Sequence, residues 1–206
     1  PSVIIDSDVN SSTVKVRIGT DNKEAGRMAA RAVLEGTEGE LRIGIVNFDK
    51  HTANGQEREL GFREEAGQDS RVKEITTINV ASTVEAARAA TRELLQAHPD
   101  INVITTFNEW TSLGVGWAIR DLGKKDETFV TAFDSNVVSV GMLETGEVDA
   151  LIVQNPYAMG YLGVEKAWEL LSGRGGKEKR INTETTIVTR ENMFLEEYQK
   201  ILFLFD

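Results

Sequence analysis

The amino-acid sequence predicts an α/β protein built on a doubly wound, mainly parallel sheet. Three observations carry that reading. Short β-branched runs alternate with stretches whose apolar residues recur at spacings of three and four, the pattern of strand–helix–strand units. Glycine, or a His-Pro-Asp turn, follows the helical stretches where a stop is needed. The expected strands end in carboxylates and amides, at the edge where open α/β sheets bind ligands.

In chain order, Ser2–Ile5 is the first expected strand. Ala25, Met28, Ala29, Ala32 and Val33 form a helical face that stops at Gly36, and Arg42–Asn47 follows as a strand. Gly55-Gln-Glu-Arg58-Glu-Leu-Gly-Phe62 opens a helix, and Ile75–Val80 is the next strand. Val84, Ala87, Thr91, Leu94 and Leu95 share a helical face that ends at His98-Pro99-Asp100. The strand Val103–Thr106 leads to a helix bearing Leu113, Trp117, Ile119 and Leu122 with its stop at Gly123. Phe129–Phe133 and Ala150–Val153 are strands, and Tyr161, Val164, Trp168 and Leu171 mark a helix ending at Gly173. Gly173–Arg180 reads as a solvated turn, Thr185–Thr189 as a strand, and Ile201–Phe205 as an apolar, strand-like tail.

The 206 residues carry 23 Lys and Arg against 33 Asp and Glu, a net charge of −10. Nucleic-acid binding through counterion release needs a basic face, so no nucleic-acid partner is expected. The absence of cysteine excludes disulfides, thiol nucleophiles and cysteine-ligated metals. No apolar run approaches the roughly 18–20 residues of a membrane span, and no secretion signal is visible before the first strand.

Motifs for chemistry are incomplete. Asp6, Asp8, Asn10 and Ser12 start like a calcium loop, but Ser11 replaces the required glycine and Arg17 the closing glutamate. Gly114-Val-Gly116 lies within a helical stretch and lacks the third glycine of a dinucleotide fingerprint, and Gly175-Gly176-Lys177 lacks the Ser or Thr of a phosphate loop. The two histidines, His51 and His98, have no partner motif. Asp6 and Asp134 would be the carboxylates to suspect for glycoside hydrolysis, but no signature accompanies them. Neither enzymatic activity nor a cofactor is expected.

The strand ends, by contrast, form a set: Asp6-Ser7-Asp8, Asn47-Phe48-Asp49, Phe107-Asn108-Glu109, Phe133-Asp134-Ser135 and Gln154-Asn155. Carboxylates accept hydrogen bonds and amides both accept and donate, which suits a neutral polyhydroxyl ligand. The same residue types also cap helices, so capping alone is the competing explanation at any single position. Arg58, read as lying in the first turn of its helix, opposes the macrodipole there. It either points into the crevice, where its fork can bind vicinal hydroxyls or a carboxylate, or pairs at the surface with Glu57 or Glu59.

These residues resemble the type I periplasmic binding protein superfamily, in particular the ribose- and galactose-type sugar-binding proteins, whose fold also serves as the effector domain of lac-repressor-like regulators. The resemblance rests on Val3-Ile-Ile-Asp6, Ile18-Gly-Thr-Asp-Asn22, Glu57-Arg-Glu-Leu-Gly-Phe62, Leu94-Leu-Gln-Ala-His-Pro-Asp100, Phe107-Asn-Glu109, Ala132-Phe-Asp134 and Ala150-Leu-Ile-Val-Gln154 with Pro156, in family order. It implies that Asp6 binds ligand hydroxyls, that Arg58 holds ring or anomeric oxygens, and that Asn108, Asp134 and Gln154 complete a polar clamp. Two positions depart from the pattern. Ser7 stands where the family often has Arg, and Ser82 where it often has a stacking aromatic, a role Trp110 could take instead.

The resemblance further implies two lobes that close over a monosaccharide, ABC-transporter membrane subunits as partners, and an extracytoplasmic location. The regulator alternative implies a cytoplasmic dimer. Three strand–helix units of a first lobe are absent, so the sequence reads as a fragment. Residues 1–16 would be a remnant strand and crossing, 17–153 the C-terminal lobe, 154–181 a remnant helix, and 182–206 a returning strand and tail. A first lobe reduced to one strand and one helix would leave apolar surface exposed, so homo-oligomerisation through it is expected, as is weak sugar binding by the isolated chain.

Overall fold

A computed structural model describes residues 2–9, 11–175 and 179–203. The elements in order are β1 (Ser2–Ile5), β2 (Val14–Thr20), α1 (Asn22–Gly36), β3 (Leu41–Phe48), α2 (Ala53–Ala66), β4 (Val72–Val80), α3 (Val84–Ala97), β5 (Val103–Thr106), α4 (Glu109–Leu122), β6 (Phe129–Phe133), α5 (Val137–Thr145), β7 (Ala150–Val153), α6 (Pro156–Leu171), β8 (Arg180–Thr183), β9 (Thr186–Thr189) and α7 (Glu196–Leu202). The chain forms two compact units, one of residues 1–21 and 154–185, the other of residues 22–153 and 186–206. The second unit thus takes in neither Arg17–Asp21 nor Asn182–Thr185, which the sequence reading assigned to the C-terminal lobe.

In the larger unit six strands run in the order β4-β3-β5-β6-β7-β9. All neighbours are parallel except β7 and β9, which are antiparallel. Strand side chains alternate between two cores, as a sheet covered on both faces requires. Ile43, Ile45, Val103, Phe107, Phe133 and Ile152 pack with α1 and α2. Val46, Ile104, Val130, Ala132, Leu151 and Val153 pack with α3, α4 and α5. Order reverses about β3, which lies between β4 and β5, so the crevice beyond the carboxyl ends of β3 and β5 is the topological switch point.

The helices α1 and α2 meet backbone to backbone. A Cβ on Gly26 would lie 2.0 Å from the Arg58 carbonyl oxygen, and one on Gly61 would lie 1.9 Å from that of Lys23. Only glycine permits this approach at either point.

The smaller unit has three parallel strands, β1-β2-β8, with α6 against them. This corrects the expectation of a single remnant strand. β2 alternates buried Val14, Val16 and Ile18 with the more exposed Lys15 and Arg17, the pattern of a half-buried strand. Its length removes β1 from isolation, with Val3 paired to Val16 and Ile5 to Ile18. The calcium-like loop is held by ion pairs instead: Asp8 accepts from Arg17 at 2.7 Å and from Arg180 at 3.0 Å.

Two further expectations change. The stripe Tyr161, Val164, Trp168 and Leu171 does not cover the sheet. These residues are exposed, and α6 packs through Met159, Leu162 and Leu170. The tail is not strand-like over its described part, because Ile201 and Leu202 close α7 and Leu202 enters the core of the larger unit beside Tyr198 and Met193. Leu204 and Phe205, like Gly176–Glu178 of the expected turn, lie outside the described residues.

Candidate functional site

In the larger unit Ser82 and Asn108 meet beyond the ends of β4 and β5, and Asp134 follows the neighbouring strand β6. Asn108 follows β5 and caps α4, its Oδ1 accepting from the Thr111 backbone N–H at 3.0 Å and from the Thr111 hydroxyl at 2.6 Å. Its Nδ2 donates to Ser82 Oγ at 2.6 Å, which joins the ends of β4 and β5. The capping explanation therefore holds for the acceptor side of Asn108, while the amide side faces a hydroxyl across the sheet edge. Trp110, one residue into α4, is 51% exposed. Glu109 accepts from Asn136 Nδ2 at 2.7 Å and so ties the start of α4 to the cap of α5.

Asp134 terminates β6 in the left-handed region at φ 67°, and its N–H donates to the Ile152 carbonyl at 3.0 Å. In the smaller unit Asp6 does the same thing. It follows β1 at φ 63° and its N–H donates to the Ile18 carbonyl at 2.9 Å. Among the described residues these are the two non-glycine positions with positive φ. Each makes a last ladder bond and then turns the chain. Asp tolerates that conformation better than most residues, and such strain is concentrated where a side chain must be aimed. Ser7 Oγ lies 3.4 Å from Asp6 Oδ2, and both residues are exposed. Gln154, after β7, accepts at Oε1 from Thr20 Oγ1 at 2.6 Å. Asn182 donates to Asp21 at 3.2 Å, so the chain ends entering and leaving the smaller unit are bonded to one another.

Arg58 is not the surface residue that one sequence-based reading made it. The helix α2 begins at Ala53, which puts Arg58 in the second turn, and the residue is 2% exposed. Its burial rules out the pairing with Glu57 or Glu59 at the surface. Nε donates to Asn22 Oδ1 at 2.9 Å, Nη1 donates to the Phe107 carbonyl at 2.6 Å, and the guanidinium lies 4.6 Å from the Phe133 ring centroid. Asn47 is likewise internal, at 2% exposure, and donates to the Gly55 carbonyl and to Glu59. Burial raises the Glu59 pKa, but hydrogen bonds from Thr77, Asn47 and Arg63 outweigh it and hold the carboxyl below its usual value.

Sequence reasoning gave no role to Asn22, Thr20 or the Glu109–Asn136 pair. Asn22 was visible only as the last residue of Ile18-Gly-Thr-Asp-Asn22, with nothing in its spacing to connect it to Arg58, 36 positions on.

Residues 1–175 match a family model described as the periplasmic binding protein domain. The chain belongs to this family. It is 26% identical over 174 residues to the ribose import binding protein RbsB of Bacillus subtilis (strain 168), covering 84% of this chain and 56% of that protein. The chain thus spans about half the length of the curated relatives it matches. A carbohydrate transporter solute binding protein from Agrobacterium radiobacter, solved with D-arabinose, superposes with a TM-score of 0.91 at 27% identity over 98% of this chain and 70% of that one. An ABC transporter solute binding protein from Agrobacterium vitis, solved with D-fucose, gives 0.90 at 30% identity over 97% and 70%. The α/β architecture with mainly parallel sheets is that of the family.

Proposed function

We propose that the whole protein is the extracytoplasmic solute-binding component of an ABC-type sugar importer, taking a monosaccharide and delivering it to the transporter's membrane subunits. The observation that carries this is the Ser82–Asn108 pair beyond β4 and β5 with Asp134 at the end of β6, a hydroxyl, an amide and a carboxylate on the edge where a parallel sheet binds its ligand. Solved relatives at 27% and 30% identity hold D-arabinose and D-fucose, which supports a sugar over other polar ligands. The relatives named are import and solute-binding proteins, which favours transport over the regulator reading.

Asp6, Arg58, Asn108, Asp134 and Gln154 are the proposed hydrogen-bonding residues, with Ser7 and Ser82 as further polar candidates and Trp110 as an apolar face for the sugar ring. Titration calorimetry of the full-length protein with D-ribose, D-arabinose and D-fucose tests this. A hydrogen bond to a charged group contributes about 1.5–3 kcal/mol, so Asp134→Asn should weaken binding roughly 10- to 100-fold. Unchanged affinity in both Asp134→Asn and Asn108→Ala would show that the clamp is elsewhere.

A further inference from the structure

The ladder between β5 and β6 stops short of the sheet edge that carries Asn108 and Asp134. β6 pairs with β7 as far as Phe133, opposite Ile152, but with β5 only as far as Thr131, opposite Thr105. Successive N–H groups of a strand point to opposite sides. That of Asp134 donates to Ile152 of β7, so that of Phe133 points towards β5, beyond the last ladder pair. Phe133 is fully buried, and a buried N–H left without an acceptor is costly.

The acceptor comes from α4. Ser112 Oγ accepts from the Phe133 N–H at 2.9 Å and donates to the Asn108 carbonyl at 2.6 Å. The residue is 1% exposed. A helical serine often returns its hydroxyl to the carbonyl four residues back. The bond to a strand outside the helix is no part of that habit. One buried hydroxyl thus joins the backbone of Asn108 to that of the residue preceding Asp134. The Glu109–Asn136 hydrogen bond, at 2.7 Å, spans the same gap from the next residue on one side and two residues beyond Asp134 on the other. Side chains here fix a separation that the sheet's own hydrogen bonds leave open.

We propose that Ser112 is a positioning residue whose hydroxyl sets the spacing of Asn108 and Asp134, acting through the backbone of Asn108 and Phe133. This rests on the reading of Asn108 and Asp134 as ligand residues.

The test uses full-length Ser112→Ala, Ser112→Thr and Ser112→Cys. Without ligand, the Phe133 amide should exchange about tenfold or more faster in Ser112→Ala, the order of one lost hydrogen bond, while amides of β3 and β4 keep their protection. The Asn108 side-chain amide should shift in NMR spectra of the same variant. Ser112→Thr keeps the hydroxyl and should return both signals towards wild type. With ligand, Ser112→Ala should bind D-ribose, D-arabinose or D-fucose, whichever the wild type takes, about tenfold more weakly. Ser112→Thr should stay within a few-fold of wild type. Wild-type affinity in Ser112→Ala would overturn the proposal, as would unchanged Phe133 exchange there or an equal loss of affinity in Ser112→Thr. Protection lost throughout β3 and β4 would make Ser112 a residue of general stability and overturn it too. If Ser112→Ala does not fold, Ser112→Cys, whose thiol is a weak donor and acceptor, carries the same readouts. If the wild-type protein binds none of the three sugars, the functional reading fails, while the Asn108 shift and its return in Ser112→Thr still decide the positioning role.

Discussion

At Asp134 a side chain and a backbone conformation are required together. The left-handed region costs most L-residues about 1–2 kcal/mol, and Asp and Asn visit it more readily. Asp134→Asn should therefore fold with near wild-type stability in urea, whereas Asp134→Ala should lose about 1 kcal/mol. Equal stability of the two would show that the φ of 67° carries no strain. Asp149 offers a second residue-level test. Burial raises its pKa, more than the Val130 N–H and Arg190 lower it. A raised folded-state pKa means that the folded protein holds the proton more tightly than the unfolded chain. The associated stability is full below the unfolded value of about 3.9 and is lost as pH rises through the folded value. Asp149→Asn, which keeps an oxygen for Val130, should be more stable than wild type at neutral pH and lose that advantage in acid. A constant difference across pH would remove burial as the cause.

The helix α6 separates what packs from what is merely apolar. Met159 is 4% exposed while Val164 and Leu171 are 74% and 83% exposed. Met159→Ala should cost about 2–5 kcal/mol, and Val164→Glu with Leu171→Lys should change stability by less than about 0.5 kcal/mol each. The exposed stripe is also where self-association is expected, so the charged pair of changes should lower the apparent mass in light scattering if copies meet there. An unchanged mass would place any association elsewhere. Periodicity alone could not have chosen between the two sides of α6, because apolar residues occur on both. The same ambiguity hid α5, whose Val137-Val-Ser-Val-Gly-Met-Leu is apolar without a polar face. Strands buried on both faces, such as β3, β5 and β7, were legible as continuous β-branched runs. β8 is four residues with one apolar side chain and gave almost no signal.

Over the whole molecule the two units differ in size and in how much each buries. The fully buried apolar residues clustered in the smaller unit are Val16, Ile18 and Met159, against two extensive cores in the larger. Three strands and one helix are near the minimum for independent stability. Native-state hydrogen exchange should find β2 amides opening at lower free energy than those of β5 and β6, and coincident exchange would mean that the units unfold as one. The candidate site was legible unevenly for a related reason. Asp6, Asn108, Asp134 and Gln154 stand at strand ends, which sequence can locate. The burial of Arg58 depends on Asn22 and Phe133, which only the folded sheet brings beside it.

The contact between α1 and α2 contains no side-chain torsion at Gly26 or Gly61, so it has nothing with which to absorb an error. Read as a map of mutational tolerance, this makes two positions in the molecule nearly closed to change. In a saturation library scored for folded protein, positions 26 and 61 should return glycine almost alone. Gly141 and Gly160 sit in α5 and α6 with nothing within 4 Å of an added Cβ. Alanine should be accepted there and enriched, since glycine within a helix is less stable than alanine by roughly 0.5–1 kcal/mol.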